Sequence, residues 1–149
     1  MRNILQIVPL LFAALIGVTL TGCAEKNPYG VVPVTGVVLT DGKPMDGIYV
    51  TFILTGGDGK TAGGITDAEG RFTLATAGSE MKGAVPGMYN VTFEKFTVNV
   101  VRDASGHESP AGKNFLIPER YGKPETSGIE PVTVERGKKN HFEFKLQGQ

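Results

Sequence analysis

The residue best suited to covalent chemistry is Cys23, the only cysteine among 149 residues. It lies just behind an apolar run from Ile4 to Leu20, and Arg2 is the only charged residue ahead of it. A positive start, an apolar centre and small residues before a candidate cleavage point are typical of an export signal. The apolar run is only about 17 residues long, which is short for a permanent membrane span. A signal anchor remains the alternative.

Residues Leu20, Thr21, Gly22 and Cys23 resemble the lipobox of bacterial lipoproteins, in which Leu, a small residue, and Gly or Ala precede Cys. The resemblance implies a diacylglycerol thioether on the Cys23 sulfur, cleavage just before Cys23, and a third acyl chain on the new amino group. Two or more acyl chains, at about 0.8 kcal/mol per buried methylene, anchor a protein stably. We therefore expect the membrane to be a partner through Cys23. The alternative is an accidental cysteine inside a signal peptide.

Two histidines are the next candidates for chemistry. His107 lies in a polar segment rich in Gly, Ser and Pro, and His141 begins an alternating run on its polar face. Without a third ligand at a fixed spacing, the pair does not indicate zinc. A minor hydrolase using His107 or Asp103 is an alternative, but no base, orienting group and oxyanion donor can be assigned together. We expect surface histidines, no catalytic residue and no cofactor.

Acidic residues around Asp67 raise the question of a calcium loop. Such a loop needs oxygen ligands at alternate positions and a distant bidentate Glu. Asp67 and Glu69 supply two ligands, and Asp58 could add a third from a neighbouring loop. The simpler expectation is that Asp67 accepts backbone N–H groups of a turn and that Gly70 adopts a positive φ. We therefore predict no metal site.

The charge balance of the chain argues against nucleic acid as a partner. The chain has 15 basic and 15 acidic side chains, and removal of Arg2 with the signal leaves one more acid than base. Such a balance provides no basic surface for nucleic acid.

We expect three parts: a cleaved signal peptide (residues 1–22), a lipidated tether (23–32) and one domain (33–149). That domain has no cysteine and hence no disulfide.

Beyond residue 32 the apolar residues recur at every second position, which is the period of a strand. Tight-turn combinations such as Asp41-Gly42 and Pro86-Gly87 separate the runs. Seven short strands and no amphipathic helix predict an all-β, mostly antiparallel β-sandwich. The seven predicted strands are Val34–Leu39, Ile48–Leu54, Ile65–Asp67, Arg71–Leu74, Tyr89–Glu94, Val132–Glu135 and Phe142–Leu146. Tyr89 should face inward and donate its hydroxyl to a backbone carbonyl.

The order of the turns resembles that of the carboxypeptidase regulatory-like domains, which are transthyretin-like, Ig-like β-sandwiches. The matching elements are Gly36 to Val38, Asp41-Gly42-Lys43-Pro44, Thr66-Asp67 through Phe72, and Pro86-Gly87 with Tyr89 and Val91. The resemblance implies a seven-stranded sandwich without peptidase activity of its own. One enzyme of similar fold, hydroxyisourate hydrolase, relies on inward His and Arg residues and a Tyr-Arg-Gly-Ser ending. This chain ends in "KLQGQ" instead.

The segment from about Arg102 to Pro131 is polar and rich in proline, with one apolar cluster at residues 115–117. A loop of this length in a small domain is usually functional or only partly ordered. One interpretation is that the cluster packs along a sheet edge and blocks association. The other is that Phe115, Arg120 and Tyr121 contact a binding partner.

Together these observations predict a lipid-anchored, non-enzymatic protein of the cell envelope that acts as a binding or structural module. Ala24, where an Asp would favour inner-membrane retention in some bacteria, favours the outer membrane. The expected partners are the membrane and another envelope protein or a cell-surface glycan. Glycan binding is the alternative function. It is weakened by the absence of tryptophan, the preferred platform for sugars.

Overall fold

The computed structural model describes residue 27 and residues 29–56, 61–79 and 81–148, and strands form nearly all of the regular secondary structure in this part of the chain. The strands are β1 (Val34–Thr40), β2 (Lys43–Pro44), β3 (Tyr49–Leu54), β4 (Thr61–Ile65), β5 (Arg71–Thr73), β6 (Ala75–Thr76), β7 (Gly87–Glu94), β8 (Phe96–Arg102), β9 (Glu108–Phe115), β10 (Val132–Val134) and β11 (Asn140–Leu146). A 3-10 helix (Glu119–Gly122) and the short helix α1 (Pro124–Ser127) lie between β9 and β10.

Two sheets enclose one core, and a separate hairpin extends the chain beyond them. Sheet I has the order β11-β1-β2, with β5 also paired to β1, and sheet II has the order β10-β7-β3-β4-β6. All pairings in these sheets are antiparallel except that of β1 with β11. The third unit is the two-stranded pair β8-β9. The predicted all-β, mostly antiparallel sandwich is confirmed.

The prediction of seven strands was too low for the described residues. All seven predicted segments overlap a strand, although Ile65–Asp67 does so at one residue, and β2, β6, β8 and β9 are additional. β2 and β6 have two residues each, which is too short for a visible alternation. The predicted strand Ile65–Asp67 lies earlier, at Thr61–Ile65, and its two glycines are inside the strand. A Cβ on Gly64 would come within 2.6 Å of the Thr73 carbonyl oxygen, so glycine permits close approach of the two backbones here.

Alternation along the strands separates the core from the surface as the sequence predicts. Every second residue of β1 is buried, from Val34 to Thr40. Ile48, Val50 and Phe52 are fully buried, whereas Tyr49 on the other face is exposed. In β11 the buried residues Phe144 and Leu146 alternate with exposed ones. Period-two patterning therefore fixes which face of each strand points inward.

The centre of the core is an aromatic cluster around Phe52. From sheet II, the Phe52 ring reaches Phe142 at 5.8 Å and Phe144 at 6.2 Å between ring centroids, both on β11 of sheet I. It also contacts Phe72 of β5 at 6.2 Å and Tyr89 of β7 at 5.7 Å. All four contacts are tilted or edge-on, the arrangements that the aromatic quadrupole favours. Phe52 therefore joins the two sheets.

Gly36 makes room for this cluster. It is buried on the inward face of β1, and a Cβ at this position would lie 2.5 Å from Cζ of Phe72. A side chain here would also collide with the Phe142 carbonyl oxygen. Because strand interiors usually disfavour glycine, this residue marks a close approach of other groups.

We expect Gly36→Ala to lower the free energy of unfolding by about 2 kcal/mol, because overpacking a filled core forces rings out of their positions. Gly63→Ala is the matched control, since its Cβ would meet Val50 O at an ordinary 3.6 Å. Urea unfolding of both purified variants measures the difference. Equal stability of the two variants would contradict the steric role of Gly36.

Candidate functional site

The predicted lipid attachment site, Leu20, Thr21, Gly22 and Cys23, lies outside the described residues and stays a prediction. The first described residue, Asn27, forms two hydrogen bonds with the backbone of Val31, at 2.8 and 2.7 Å. Val31 is buried, and Val32 forms a β-bridge with Ala84. Residues at the end of the predicted tether (23–32) therefore belong to the folded domain. Any free spacer after Cys23 is only a few residues long.

The two histidines do not form a common site. His141 is exposed on β11, with Nδ1 3.0 Å from the Thr35 hydroxyl oxygen. His107 is exposed at the turn between β8 and β9, in a different sheet. Among the described residues, no group of three or more His, Cys, Asp or Glu side chains is arranged to bind a metal ion. Asp58, the third ligand considered for calcium, lies outside the described residues.

Asp67 caps a turn, as the sequence predicts. Its Oδ1 accepts hydrogen bonds from the N–H groups of Glu69 at 3.0 Å and Arg71 at 2.8 Å. Gly70 has φ of 71°, the positive value expected there. The backbone N–H and guanidinium of Arg71 hold the pKa of Asp67 below its ordinary value. Because Arg71 also pairs with Glu69 at 2.8 Å, both carboxylates of the supposed calcium loop already have a cation.

The turn after β8 repeats this design. Asp103 Oδ1 accepts hydrogen bonds from the N–H groups of Ser105 and His107, each at 2.9 Å. Gly106 has φ of 83°. Residues 67–71 (DAEGR) and 103–107 (DASGH) thus share both sequence pattern and hydrogen bonding. Asp103, considered above for a hydrolase, serves as a turn cap.

The segment predicted as a long loop from Arg102 to Pro131 contains a strand instead, and this is the main correction to the sequence analysis. Residues 108–115 form β9, which pairs antiparallel with β8. Arg102 lies opposite Glu108 at the turn, and Phe96 lies opposite Phe115 at the other end. We call residues 96 to 115 the hairpin arm. Sequence patterning missed it because almost every residue of both strands is exposed, so no buried face imposes an apolar alternation. The repeated Asp-Ala-x-Gly turn is the signal that could have revealed it.

The hairpin arm exposes apolar side chains. Val98, Val100 and Val101 are 52%, 59% and 58% exposed. At the base of the arm the ladder continues by one more bond, in which Leu116 N–H donates to the Lys95 carbonyl at 2.8 Å. An isolated two-stranded hairpin is at best marginally stable in water. Exposed apolar residues on such an element are typical of an interaction surface.

The three residues predicted to bind a partner occupy different environments. Phe115 is half-buried at the base of the arm, with its ring 6.0 Å from that of Phe96. Arg120 is exposed, and its guanidinium lies over the Tyr121 ring at 4.6 Å. Tyr121 is buried, and its hydroxyl accepts a hydrogen bond from Gln147 N–H at 2.8 Å. Tyr121 thus connects the 3-10 helix with Gln147, which follows β11. Partner binding by Phe115 and Arg120 stays a prediction.

The apolar cluster at residues 115–117 also has a structural role. Ile117 is fully buried in the core, whereas Leu116 is 41% exposed. The 3-10 helix that follows contacts β7, whose partner β10 pairs with Gly87 to Tyr89 alone. The helix therefore covers the part of the β7 edge that β10 leaves unpaired. This arrangement agrees with the interpretation that the segment packs along a sheet edge.

A shallow groove lies where sheet I meets the end of β4. Its volume is about 540 Å³, and Thr35, Ile65, Asp67, Arg71, Thr73 and His141 contribute side chains to it. Thr73, Thr35 and His141 lie side by side across β5, β1 and β11. The groove thus offers hydroxyl, imidazole, carboxylate and guanidinium groups over a short distance, beside the exposed side chain of Ile65.

No protein family matches the sequence, and no curated protein matches it as a relative. Two solved structures match at low identity. A 9R-lipoxygenase from Cyanothece PCC8801 is 15% identical over 83% of this chain and 17% of that chain, with a TM-score of 0.36. A candidate adhesin from Bacteroides ovatus is 18% identical over 87% of this chain and 49% of that chain, with a TM-score of 0.44. The chain spans less than half of either neighbour, and neither likeness indicates a function.

No helix in the described part of the chain has the length and apolar content needed to cross a bilayer.

Replacement of Tyr121 and Arg120 separates their roles. We expect Tyr121→Ala to lower the free energy of unfolding by about 3 kcal/mol, because it empties a buried ring site and leaves the Gln147 N–H without its acceptor. Arg120→Ala should cost less, about 1 kcal/mol, because it removes a guanidinium that donates to the Tyr121 hydroxyl at 2.9 Å and lies over its ring. Thermal and urea unfolding measure both changes. An unchanged stability of Tyr121→Ala would return this residue to the partner-binding candidates.

Proposed function

We propose that this protein is a lipid-anchored, non-enzymatic module of the cell envelope that binds another envelope protein through its hairpin arm. The observation that carries the proposal is the exposure of Val98, Val100 and Val101 on a two-stranded element that has no core of its own. Interaction residues on proteins of this kind are commonly placed on elements that project from a rigid scaffold.

The anchor in this proposal is the lipobox-like sequence ending at Cys23. Acyl chains on that cysteine would attach the protein covalently to the membrane, and Ala24 favours the outer membrane where there is one. Because the folded domain starts near Val31, the spacer would hold the domain close to the headgroups. An arm of seven paired residues, about 23 Å long, would then extend the reach of the domain.

The groups with shifted pKa values support a non-enzymatic role. The pKa of Asp67 is lowered and the pKa of Arg71 is raised, and these two side chains are paired with each other in a turn. Tyr89, whose pKa is raised by burial, donates its hydroxyl to the Val85 carbonyl at 2.7 Å. Each perturbed group therefore has a structural explanation, and none requires a substrate.

The resemblance to carboxypeptidase regulatory-like domains is part of the same proposal. The Asp41-Gly42 pair that carries it has positive φ at both residues, 50° and 76°. Two positive values are characteristic of the type I′ turn that joins tight hairpins, here β1 and β2. A domain of that class would act by binding rather than by chemistry.

In-cell photo-crosslinking with mass spectrometry on the full-length protein tests the proposal. We expect a photoreactive residue at Val100 to link the arm to an envelope protein, and the Cys23 peptide from the same cells to carry acyl chains. The matched control is the same residue at Lys138, an exposed position on a turn of the sandwich. Links of equal yield from both positions would remove the arm as the binding element. An unmodified, uncleaved N-terminus would remove the anchor.

A second candidate function, glycan binding, is favoured by the groove beside His141. Its hydroxyl, imidazole and carboxylate groups match the hydrogen bonds that sugar hydroxyls form, and the exposed Ile65 offers an apolar contact. No exposed aromatic ring contributes to the described groove, so stacking on a sugar face is not available there.

A glycan array probed with the purified protein tests the second candidate. If the groove binds sugars, His141→Ala should reduce binding about tenfold, because it removes a polar contact worth about 1.4 kcal/mol. Glu143→Ala, two residues further along the same face of β11, should leave binding unchanged. Absence of binding by the parent protein would dismiss this candidate.

A further inference from the structure

The edges of the hairpin arm differ in how well they are protected against pairing with another strand. β9 contains Pro110, which cannot donate a backbone hydrogen bond, and Gly112, and it bulges at the register shift opposite Asn99 and Val100. Proline, bulges and charges are the usual means of blocking an edge strand. β8 has none of them before its last residue, Arg102: Phe96 to Val101 (FTVNVV) has no charge, no proline and no glycine. Its second edge is unpaired among the described strands.

The other long edge in the described residues is that of β11, and it is protected by charge. His141, Glu143 and Lys145 alternate along its exposed face. Sheet II ends in β10 and β6, of three and two residues, which are too short to attract a strand. β8 is thus the long edge of the described domain whose first six residues carry no charge, the kind of edge that natural proteins otherwise shield.

We propose that β8 pairs antiparallel with β8 of a second copy of this chain, about a two-fold axis at Asn99. This inference rests on the proposed function, because the envelope protein that the arm binds is then a second copy of this chain. The pairing makes a four-stranded sheet, β9-β8-β8-β9, which exceeds the three strands needed for independent stability. It also follows the isologous rule, because the same patch is used by both copies.

The sequence of β8 is complementary to itself in this register, which uses all seven residues of the strand. Val98 lies opposite Val100 of the second copy, and Thr97 lies opposite Val101. Pairs of β-branched and apolar residues stabilise neighbouring strands. Asn99 meets its own symmetry mate, and two amide side chains can each donate and accept a hydrogen bond.

Charges are complementary in the same register. Arg102, which pairs with Glu108 of its own hairpin, lies opposite the Phe96 ring of the second copy, an arrangement that attracts a guanidinium to an aromatic face. Lys95 lies opposite Asp103 of the second copy, although its ammonium group is already paired with Asp46 of its own chain at 3.2 Å. No like charges face each other between Lys95 and Asp103.

The side chains on one face of the arm are identified by contacts within the hairpin. The ring contact of Phe96 with Phe115 and the ion pair of Arg102 with Glu108 lie on one face, because strand residues two apart share a face. Val98 and Val100 lie on that face between Phe96 and Arg102. Val101 lies on the other face and is equally exposed, so it provides a matched control.

The test uses the full-length protein in cells, with a photoreactive residue in place of Asn99 and two differently tagged copies. We expect links between the two copies. In the double variant V98E/V100E, each introduced carboxylate lies opposite an introduced carboxylate of the second copy. Like charges directly opposite each other destabilise strand pairing, so copy-to-copy links should fall at least about tenfold. In V98E/V100K each introduced carboxylate faces an introduced ammonium group of the second copy, and links should persist. V101E, whose new side chain faces Thr97, should also retain them.

All three variants alter side chains that are more than half exposed, and the carboxylate that V98E introduces would face Lys113 within its own hairpin. The variants should therefore fold like the parent, which circular dichroism checks. Equal yields of copy-to-copy links from V98E/V100E and V98E/V100K would overturn the pairing. Links from Asn99 to a different protein alone would overturn it too, while leaving the proposed function in place. If the residue at position 99 formed no link to any protein, both proposals would be wrong.

Discussion

The structure of the sandwich depends on the contact of Phe52 with aromatic rings of the opposite sheet. Phe52 is contributed by β3 at the middle of sheet II, and Phe142 and Phe144 are contributed by β11 of sheet I. Aromatic pairs of this geometry contribute about 0.5–1.5 kcal/mol each beyond their buried area. The chain has no disulfide in the described domain to replace them, since Cys23 is its only cysteine. Gly36 and the parallel pairing of β1 with β11 are arranged around these rings, so a change at either one disturbs the contact between the sheets.

The division between this core and the hairpin arm separates stability from binding. Core residues are held by packing on all sides, whereas the arm is held by its ladder hydrogen bonds, the capped turn at Asp103 and the contacts at its base. Elements with few buried apolar contacts are the ones that open locally at low cost. Pairing of the arm with a second strand would supply the missing partner, and the short spacer after Cys23 would keep two arms at a similar height above the membrane. The arm would then be ordered most fully when it is bound.

The accuracy of the sequence analysis followed the amount of buried surface. The alternation in β3, β7 and β11 and the roles of Asp67, Gly70 and Tyr89 were predicted, because burial forces alternation and tight turns require particular residues. β9 was missed for the opposite reason: it buries neither face, so its residues show no apolar period, and Pro110 and Gly112 made it resemble a loop. In β8 the alternation of Phe96, Val98 and Val100 was present in the sequence but was not recognised as a strand. Tyr121 was predicted as a surface candidate, since a single tyrosine in a polar segment gives no indication that its hydroxyl will meet the N–H of Gln147.

The amino-acid sequence alone specifies the class of the fold, the alternation along the longer core strands, the capped turn at Asp67 and the lipobox-like position of Cys23. These features depend on residues close together in the chain, so spacing alone specifies them. Which strands became neighbours depends on the tertiary structure. It placed β1 beside β11 in parallel, set Thr35 between Thr73 and His141, and left β8 with an open edge. Alternation specifies the side of a strand that faces the core but carries no information on the strand beside it. Neighbours are chosen by how the whole set of rings and backbones packs together.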